Sequence, residues 1–394
     1  MSNDPKELRF SISARDESST GVFARAGHIR LNGKTLDTPA FMPVGTLATV
    51  KSLSIQDLIN IEAGCILGNT YHLHLRPGEE VIAELGGLHR FMGGWPGLIL
   101  TDSGGYQVLS LARLRSLDEN GVTFQAHTDG STHVLTPESV VEIQQRLGSD
   151  IMMVLDECPP HTASFEQAAA GADRTLRWAE RSAATWGGFG ALFAISQGAM
   201  YKDLRRRHAQ EIARLEFPGF AVGGLGIGED KQTMKSMLSA SLSELPVDRP
   251  RYLMGIGAPE DLVNSVAAGV DLFDCVLQTR EARNGALLSR SGRVNINNAR
   301  FEKDPGPIEN TCDCSTCATY SRAYLHHLFR NKELLGYRLA SIHNLRWTIR
   351  LMQEMRANIL VGTFDQYRDE FLAGFQSRVG ASKPGSGGPA NRRS

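Results

Sequence analysis

The sequence predicts an α/β chain folded as a (β/α)8 barrel, the TIM-barrel class. Two observations carry that expectation. Eight short apolar runs, at residues 40–45, 65–69, 98–102, 151–156, 191–197, 220–225, 252–257 and 270–277, end in polar or glycine residues, and helix-like segments separate them. Buried parallel strands read as such continuous runs. Eight strand-then-helix units favour a closed barrel over an open doubly wound sheet.

The segments between the runs carry helix signals. Thr136-Pro137-Glu138-Ser139 supplies an N-cap, a proline at the first helical position and an early acid. Val140, Ile143 and Leu147 then share a face, and Gly148 ends the segment. Ser164 to Gln167 reads as a capping box that opens a long helix. Pro259 precedes Leu262, Val263 and Val266, again on one face. Before the first run, residues 8–13, 21–25 and 28–31 alternate weakly between turn signals, which predicts an N-terminal β layer. From about Ser377 the chain is rich in Gly, Ser, Pro and Arg, and a disordered tail over 377–394 is expected.

With 394 residues, 41% of them hydrophobic and 22% charged, the chain can bury a full-sized core. No stretch of about 18 apolar residues is available to span a membrane. The first residues lack a signal-peptide layout, so a cytoplasmic location is expected. In that compartment six cysteines point to metal ligation, catalysis or core packing rather than to disulfides. The net charge is only −1, so a nucleic-acid partner would need a local basic patch. Residues 280–350 offer one, with 12 Lys/Arg against 6 Asp/Glu, a net of +6.

Chemistry in a barrel sits where strands end at the C-terminal face. Here the ends carry Asp102 after the third run, Asp156 after the fourth, Gln197 after the fifth, Gly223-Gly224-Leu225 after the sixth and Asp274 in the eighth. An isolated aspartate usually caps a helix or fixes a loop. Three of them at separate strand ends suit glycosidic chemistry, in which one carboxylate attacks an anomeric carbon and another handles a proton. The paired glycines either supply tight turns or let a flat ligand approach the backbone. No Gly-x-Gly-x-x-Gly or Walker-type motif follows a strand, so a nucleotide cofactor is not indicated.

Cys312, Cys314 and Cys317 place three thiols within six residues, a density that points to a metal. His326, His327 and His343 are each candidates for a fourth ligand. Three Cys and one His would close a tetrahedral, structural zinc site. His326 and His327 lie in a helical stretch from Ser321. His343 is expected to open a further helix through Leu345, Ile349, Met352 and Leu360. Cys65, Cys158 and Cys275, in strands or at their ends, are expected to be core or pocket lining.

Together these motifs resemble one family, the bacterial tRNA-guanine transglycosylases, or queuine tRNA-ribosyltransferases. The stretches that carry the resemblance begin Phe41-Met42-Pro43-Val44-Gly45-Thr46 with Lys51, Leu67-Gly68-Asn69-Thr70, and Thr101-Asp102-Ser103-Gly104-Gly105-Tyr106-Gln107. They continue through Asp156-Glu157-Cys158, Val222-Gly223-Gly224-Leu225, Leu253-Met254-Gly255, Asp274-Cys275, Arg283-Asn284-Gly285 and the thiol cluster. The resemblance covers about residues 8–376. It implies one catalytic domain over 1–376, with a zinc subdomain inserted at about 280–350.

The reaction it implies is a base exchange. The wobble guanine of tRNAs for asparagine, aspartate, histidine and tyrosine, whose anticodons read GUN, is replaced by a 7-deazaguanine during queuosine biosynthesis. A nucleotide would be flipped into the barrel mouth for this. By resemblance Asp274 is the nucleophile and Asp102 the general acid/base, oriented by Asn69. Asp156, Gln197, Gly224 and Leu225 would read the base edge, and Tyr106 and Met254 would sandwich its faces. Arg280, Arg283 and Lys51 would meet the RNA. His343 would complete the zinc site, and a homodimer would form near it. Cys158 and the branched Ile227 leave little room for bulky queuine, so the small 7-aminomethyl-7-deazaguanine (preQ1) is the expected base.

The chain departs from the family pattern at Gln278, where proline is usual, at Glu281 between Arg280 and Arg283, and at Ser196. Two other classes remain in view. A non-catalytic RNA-binding subunit would lack the nucleophile, which this chain keeps. A zinc-stapled glycoside hydrolase should show aromatic sugar platforms, yet aromatic residues are only 7%.

Overall fold

All eight expected strands form, within one parallel sheet. In the computed structural model, which describes residues 7–17, 23–111 and 115–379, they are Ala40–Pro43, Cys65–Asn69, Leu98–Asp102, Ile151–Met153, Ala191–Ser196, Gly219–Val222, Arg251–Leu253 and Leu272–Cys275. Counted in chain order as barrel strands, they pair in the sequence first, eighth, seventh, sixth, fifth, fourth, third, second. A parallel bridge between Val44 and Leu67 joins the first to the second. The sheet therefore closes, which removes its exposed edges. Register sets Asn69 beside Asp102 and Asp274 beside Met42, so the polar strand ends share one rim.

Leu100, Phe193, Ile195, Phe220, Tyr252, Leu253 and Phe273 are almost wholly buried. Each large apolar side chain removed from water contributes about 1.5–3 kcal/mol to holding these strands together.

The helix signals act as expected. Thr136 caps Pro137–Leu147 by accepting from the Ser139 N–H at 3.1 Å, and Gly148 ends it at φ 71°. Ser164 and Gln167 close the capping box of Phe165–Thr185. Pro259 begins the helix Pro259–Ala267.

The N-terminal layer differs in detail. Its strands are Arg9–Glu17, Phe23–Leu31 and Lys34–Thr38. The two short strands expected at 21–25 and 28–31 are one strand from Phe23 onward, while Gly21 and Val22 lie outside the described residues. Gly27 reads as a turn but lies within the strand, because a Cβ there would stand 2.5 Å from Ser11 O. Asp150 ties this layer to the barrel, accepting from Asn32 at 2.8 Å, Lys34 at 3.0 Å and the Ile99 N–H at 2.8 Å.

After the eighth strand the chain builds a subdomain before its last long helix. Leu277–Arg283, a hairpin of Ala286–Ser289 with Gly292–Asn295, and the helices Ser315–Thr319 and Arg322–Arg330 come first. Ala282, Leu287, Ile296, Phe301, Leu325 and Leu328 give it a small core of its own. Leu334–Val361 then packs back against the first strand and the N-terminal layer.

Three expectations are corrected here. His343 does not open a helix but lies inside Leu334–Val361. Leu345, Ile349 and Met352 are buried, but Leu360 is 46% exposed and Ile359 takes the inward position. The helix Phe364–Val379 also runs past Ser377, while the rest of the expected tail lies outside the described residues.

Candidate active site and metal centre

The three strand-end aspartates are built into the rim by different partners. Asp102 is 7% exposed. Asn69 Nδ2 donates to its Oδ2 at 2.6 Å, and the Thr70 N–H donates to its Oδ1 at 3.1 Å. Asn69 also caps the helix Thr70–Leu75 by accepting from the His72 N–H at 3.0 Å. One amide thus fixes both the helix start and the carboxylate. Burial pushes the Asp102 carboxyl up to about 7; the Thr70 N–H opposes this, and the charge of Asp274 adds to it.

Asp274 is half-buried at the end of the eighth barrel strand. Its Oδ1 accepts from the Tyr252 hydroxyl at 2.6 Å and from the Gly255 N–H at 2.8 Å. Among the described residues nothing is hydrogen-bonded to its Oδ2. Burial raises this carboxyl too, and the Tyr252 and Gly255 donors oppose the rise. Burial and the Asp274 charge hold the Tyr252 phenol well above its ordinary range, so it remains a donor.

Asp156 and Gln197 form a third polar unit. Gln197 Nε2 donates to Asp156 Oδ2 at 2.7 Å, and Ser103 Oγ approaches Oδ1 at 3.4 Å. Burial lifts Asp156 to about 6, with the Gln197 and Ser103 bonds resisting. The Gln197 N–H in turn donates to buried His208 Nδ1 at 3.0 Å. Gly224, at φ 67°, lies against this unit, since a Cβ there would be 2.7 Å from Gln197 Oε1 and 3.5 Å from Cys158 Sγ.

The other expected residues are placed as follows. Leu225 is buried and Met254 half-buried beside the core. Tyr106, in the first turn of Gly105–Leu111, is 51% exposed. Ile227 is half-buried in a turn where Glu229 accepts from the Gly226 N–H at 2.5 Å and the Ile227 N–H at 3.1 Å. Arg280 and Lys51 are exposed; Arg283 is half-buried with Nη1 unpartnered.

The basic segment is more neutralised than its composition suggests. Of its twelve cations, Arg290, Arg293, Arg322, Arg338, Arg346 and Arg350 pair with carboxylates. Arg280, Arg283, Arg300, Lys303, Arg330 and Lys332 are left. Two of the three departures from the family pattern also find partners. Gln278, fully buried, donates to Gly257 O at 2.8 Å, and Glu281 pairs with Arg293 at 3.0 Å. Ser196 is buried with its hydroxyl unpartnered.

Cys312, Cys314, Cys317 and His343 converge, their ligand atoms all within 4.8 Å of one another, and could hold a metal ion. His343 Nδ1 lies 3.6, 3.5 and 3.3 Å from the three sulfurs in that order. Its Nε2 donates to Leu288 O at 2.7 Å, which fixes the tautomer and leaves the Nδ1 lone pair aimed at the thiols. His326 instead bonds Ile296 O at 2.8 Å, and His327 lies against Asn331. Among the described residues no helix is long and apolar enough to cross a membrane.

Sequence reasoning missed Tyr252, Gly255 and Arg205. A signal existed for Tyr252. It lies in the stretch 252–257 that ends at the rim, two residues before Met254. Arg205, fully buried, bonds only backbone carbonyls, and no pattern of residue types announces that.

Comparison with known proteins accords with this arrangement. A family model described as queuine tRNA-ribosyltransferase matches residues 19–377. A queuine tRNA-ribosyltransferase of Acidithiobacillus ferrooxidans is 54% identical over 362 residues, covering 92% of this chain and 96% of that protein. Proteins of the same name from Dehalococcoides mccartyi and Pelotomaculum thermopropionicum are 52% and 50% identical, over 92% and 94% of this chain and 92% and 99% of their own lengths. A barrel with three buried rim carboxylates, a Cys3His cluster after its eighth strand and this degree of likeness together mean that the chain belongs to the queuine tRNA-ribosyltransferase family, and with it to the pentosyltransferase enzymes.

Proposed function

We propose that this enzyme exchanges the wobble guanine of tRNAs for asparagine, aspartate, histidine and tyrosine for preQ1, through a covalent ribosyl-aspartate. The observation that carries the reading is the unlike environment of two carboxylates in one field. Asp274 has one oxygen held by two donors and the other free, which suits a nucleophile. Asp102, lifted to about 7, suits a group that both gives and takes a proton.

In the first half-reaction Asp274 Oδ2 attacks the ribose C1′. The C1′–nitrogen bond breaks, and the protonated Asp102 supplies the proton that the departing guanine needs. In the second half, Asp102, now a carboxylate, takes a proton from the incoming base. The base nitrogen attacks C1′, and the ester bond breaks to restore the Asp274 carboxylate. Asp156, Gln197, Gly224 and Leu225 read the base edge, while Tyr106 and Met254 flank its faces. Lys51, Arg280 and Arg283 take RNA phosphates or flanking bases, and Asn69 orients Asp102. Cys158 and Ile227 restrict the pocket to the small aminomethyl substituent.

The metal is Zn²⁺. Tetrahedral bonds of about 2.05 Å to nitrogen and 2.3 Å to sulfur set the N···S edge at about 3.6 Å, against the 3.3–3.6 Å found. With these four donors the site would be closed, so a bound zinc would supply folding energy and take no part in base exchange. The barrel and zinc subdomain serve as one catalytic unit in the cytoplasm. The ring stack of half-buried Tyr320 with exposed Tyr324 and His327 supports a homodimer beside the zinc site.

The test is exchange of labelled guanine into tRNA with a GUN anticodon. The reading expects exchange by the wild type and none above background by Asp274→Ala. Full activity in that variant, or none in the wild type, overturns it. In competition preQ1 should outrun queuine, and equal use of the two would remove the Ile227 argument.

A further inference from the structure

The turn after the sixth barrel strand rests on a buried guanidinium. Arg205, on the helix Lys202–Ala213, donates from Nε to Ala199 O at 2.8 Å, from Nη1 to Gly223 O at 3.0 Å and from Nη2 to Gly224 O at 3.1 Å. Among the described residues no carboxylate pairs with it. Burial pulls its ionisation down to about 10, against weak support from Cys158 and Glu229. An unpaired buried cation is costly, so three carbonyls must take up its charge. Gly198 makes room for it, because a Cβ there would stand 2.9 Å from Arg205 Cγ.

The bonds Gly223–Gly224 and Gly224–Leu225 are trans, and in a trans peptide the C=O and N–H point opposite ways. With both carbonyls held on the guanidinium, the N–H groups of Gly224 and Leu225 face away from it. Among the described residues neither has a hydrogen-bond partner. The same turn lies against Gln197, whose Oε1 is buried and unpartnered.

We propose that Arg205 is a positioning residue that fixes and polarises this turn, so that the Gly224 and Leu225 N–H groups donate to the incoming base and select one with an oxygen at its 6-position. The proposal rests on the transglycosylase reading. A base with an amino group there would set donor against donor, and one with hydrogen would leave both N–H groups unpaired.

The experiment uses the full chain in tRNA exchange, with guanine and 2-aminopurine, which lacks both the 6-oxo group and the N1 proton of guanine, as incoming bases. The variants are Arg205→Gln and Arg205→Lys. In Arg205→Gln the KM for guanine should rise about 10- to 100-fold, the KM for tRNA should stay, and preference over 2-aminopurine should fall by a similar factor, the part that rests on the N1 proton remaining. Arg205→Lys, which keeps the charge but spans fewer carbonyls, should restore part of the preference. If both variants keep the guanine preference and lose kcat for every base alike, Arg205 is only structural and the proposal fails. Loss of folding in both variants overturns it too. If Arg205→Gln alone fails to fold, preference in Arg205→Lys decides, and wild-type preference there counts against the proposal. Absence of guanine exchange in the wild type would instead defeat the underlying reading.

Discussion

At Asp102 burial and the Asp274 charge raise the carboxyl to about 7, so both of its protonation states are populated near neutral pH. The sign of the effect on each half-reaction follows. Guanine release needs the protonated form, so its single-turnover rate should fall as pH rises through about 7. Attack by the incoming base needs the carboxylate, so that rate should fall as pH drops, with its limb displaced below 7 because the ribosyl ester has removed the Asp274 charge that helps raise Asp102. Rapid quench of each half-reaction across pH measures both limbs; limbs near the ordinary carboxylate value would count against the assignment. The shift also bears on stability. A carboxyl raised on folding stabilises most below its unfolded value of about 4 and loses that contribution as pH rises to about 7. At this scale the sequence showed the aspartates, because strand ends expose them as breaks in apolar runs. It did not show Tyr252 as the donor to Asp274, because a tyrosine in an apolar strand reads equally as core.

The element that decides the rim geometry is the junction of the second barrel strand with the helix Thr70–Leu75. Asn69 caps that helix with its oxygen and tethers Asp102 with its nitrogen. Asn69→Asp keeps the cap, since aspartate caps as well as asparagine, but sets a carboxylate against Asp102. The expected outcome is a melting temperature within a few degrees of wild type at neutral pH and exchange lowered about 10- to 1000-fold. Unchanged exchange would show that the tether is dispensable. Barrel strands and capped helices were legible because local signals and tertiary burial agree in them. The helix Leu334–Val361 was misplaced because its start has no such signal. Glu333 makes no side-chain cap, and Gly336 reads as a breaker but lies in the helix, where a Cβ would come 3.1 Å from Leu328 Cβ.

For the whole molecule, the Cys3His cluster joins the subdomain to the barrel's last helix, so metal loss acts on shape first. Chelation, or His343→Ala, should lower the melting temperature and loosen assembly, with activity falling only in step. Structural zinc sites contribute on the order of 10 kcal/mol to folding in small peptides, and a substantial part of that is at stake here. Activity lost while melting and assembly stay intact would contradict this. The cluster was legible as a metal site from thiol spacing alone. Which histidine joins it was not, because His343 is 26 residues beyond Cys317 and only the fold brings them together.

Exchange by this route requires that Asp274 become covalently bonded to ribose. The most direct measurement of that bond is denaturing electrophoresis of enzyme mixed with labelled GUN-anticodon tRNA and quenched during turnover. The account predicts a labelled enzyme–tRNA band in the wild type, loss of that band when incoming base is added in excess, and no band with Asp274→Asn. A band that persists in Asp274→Asn, or that maps to Asp102, would contradict it.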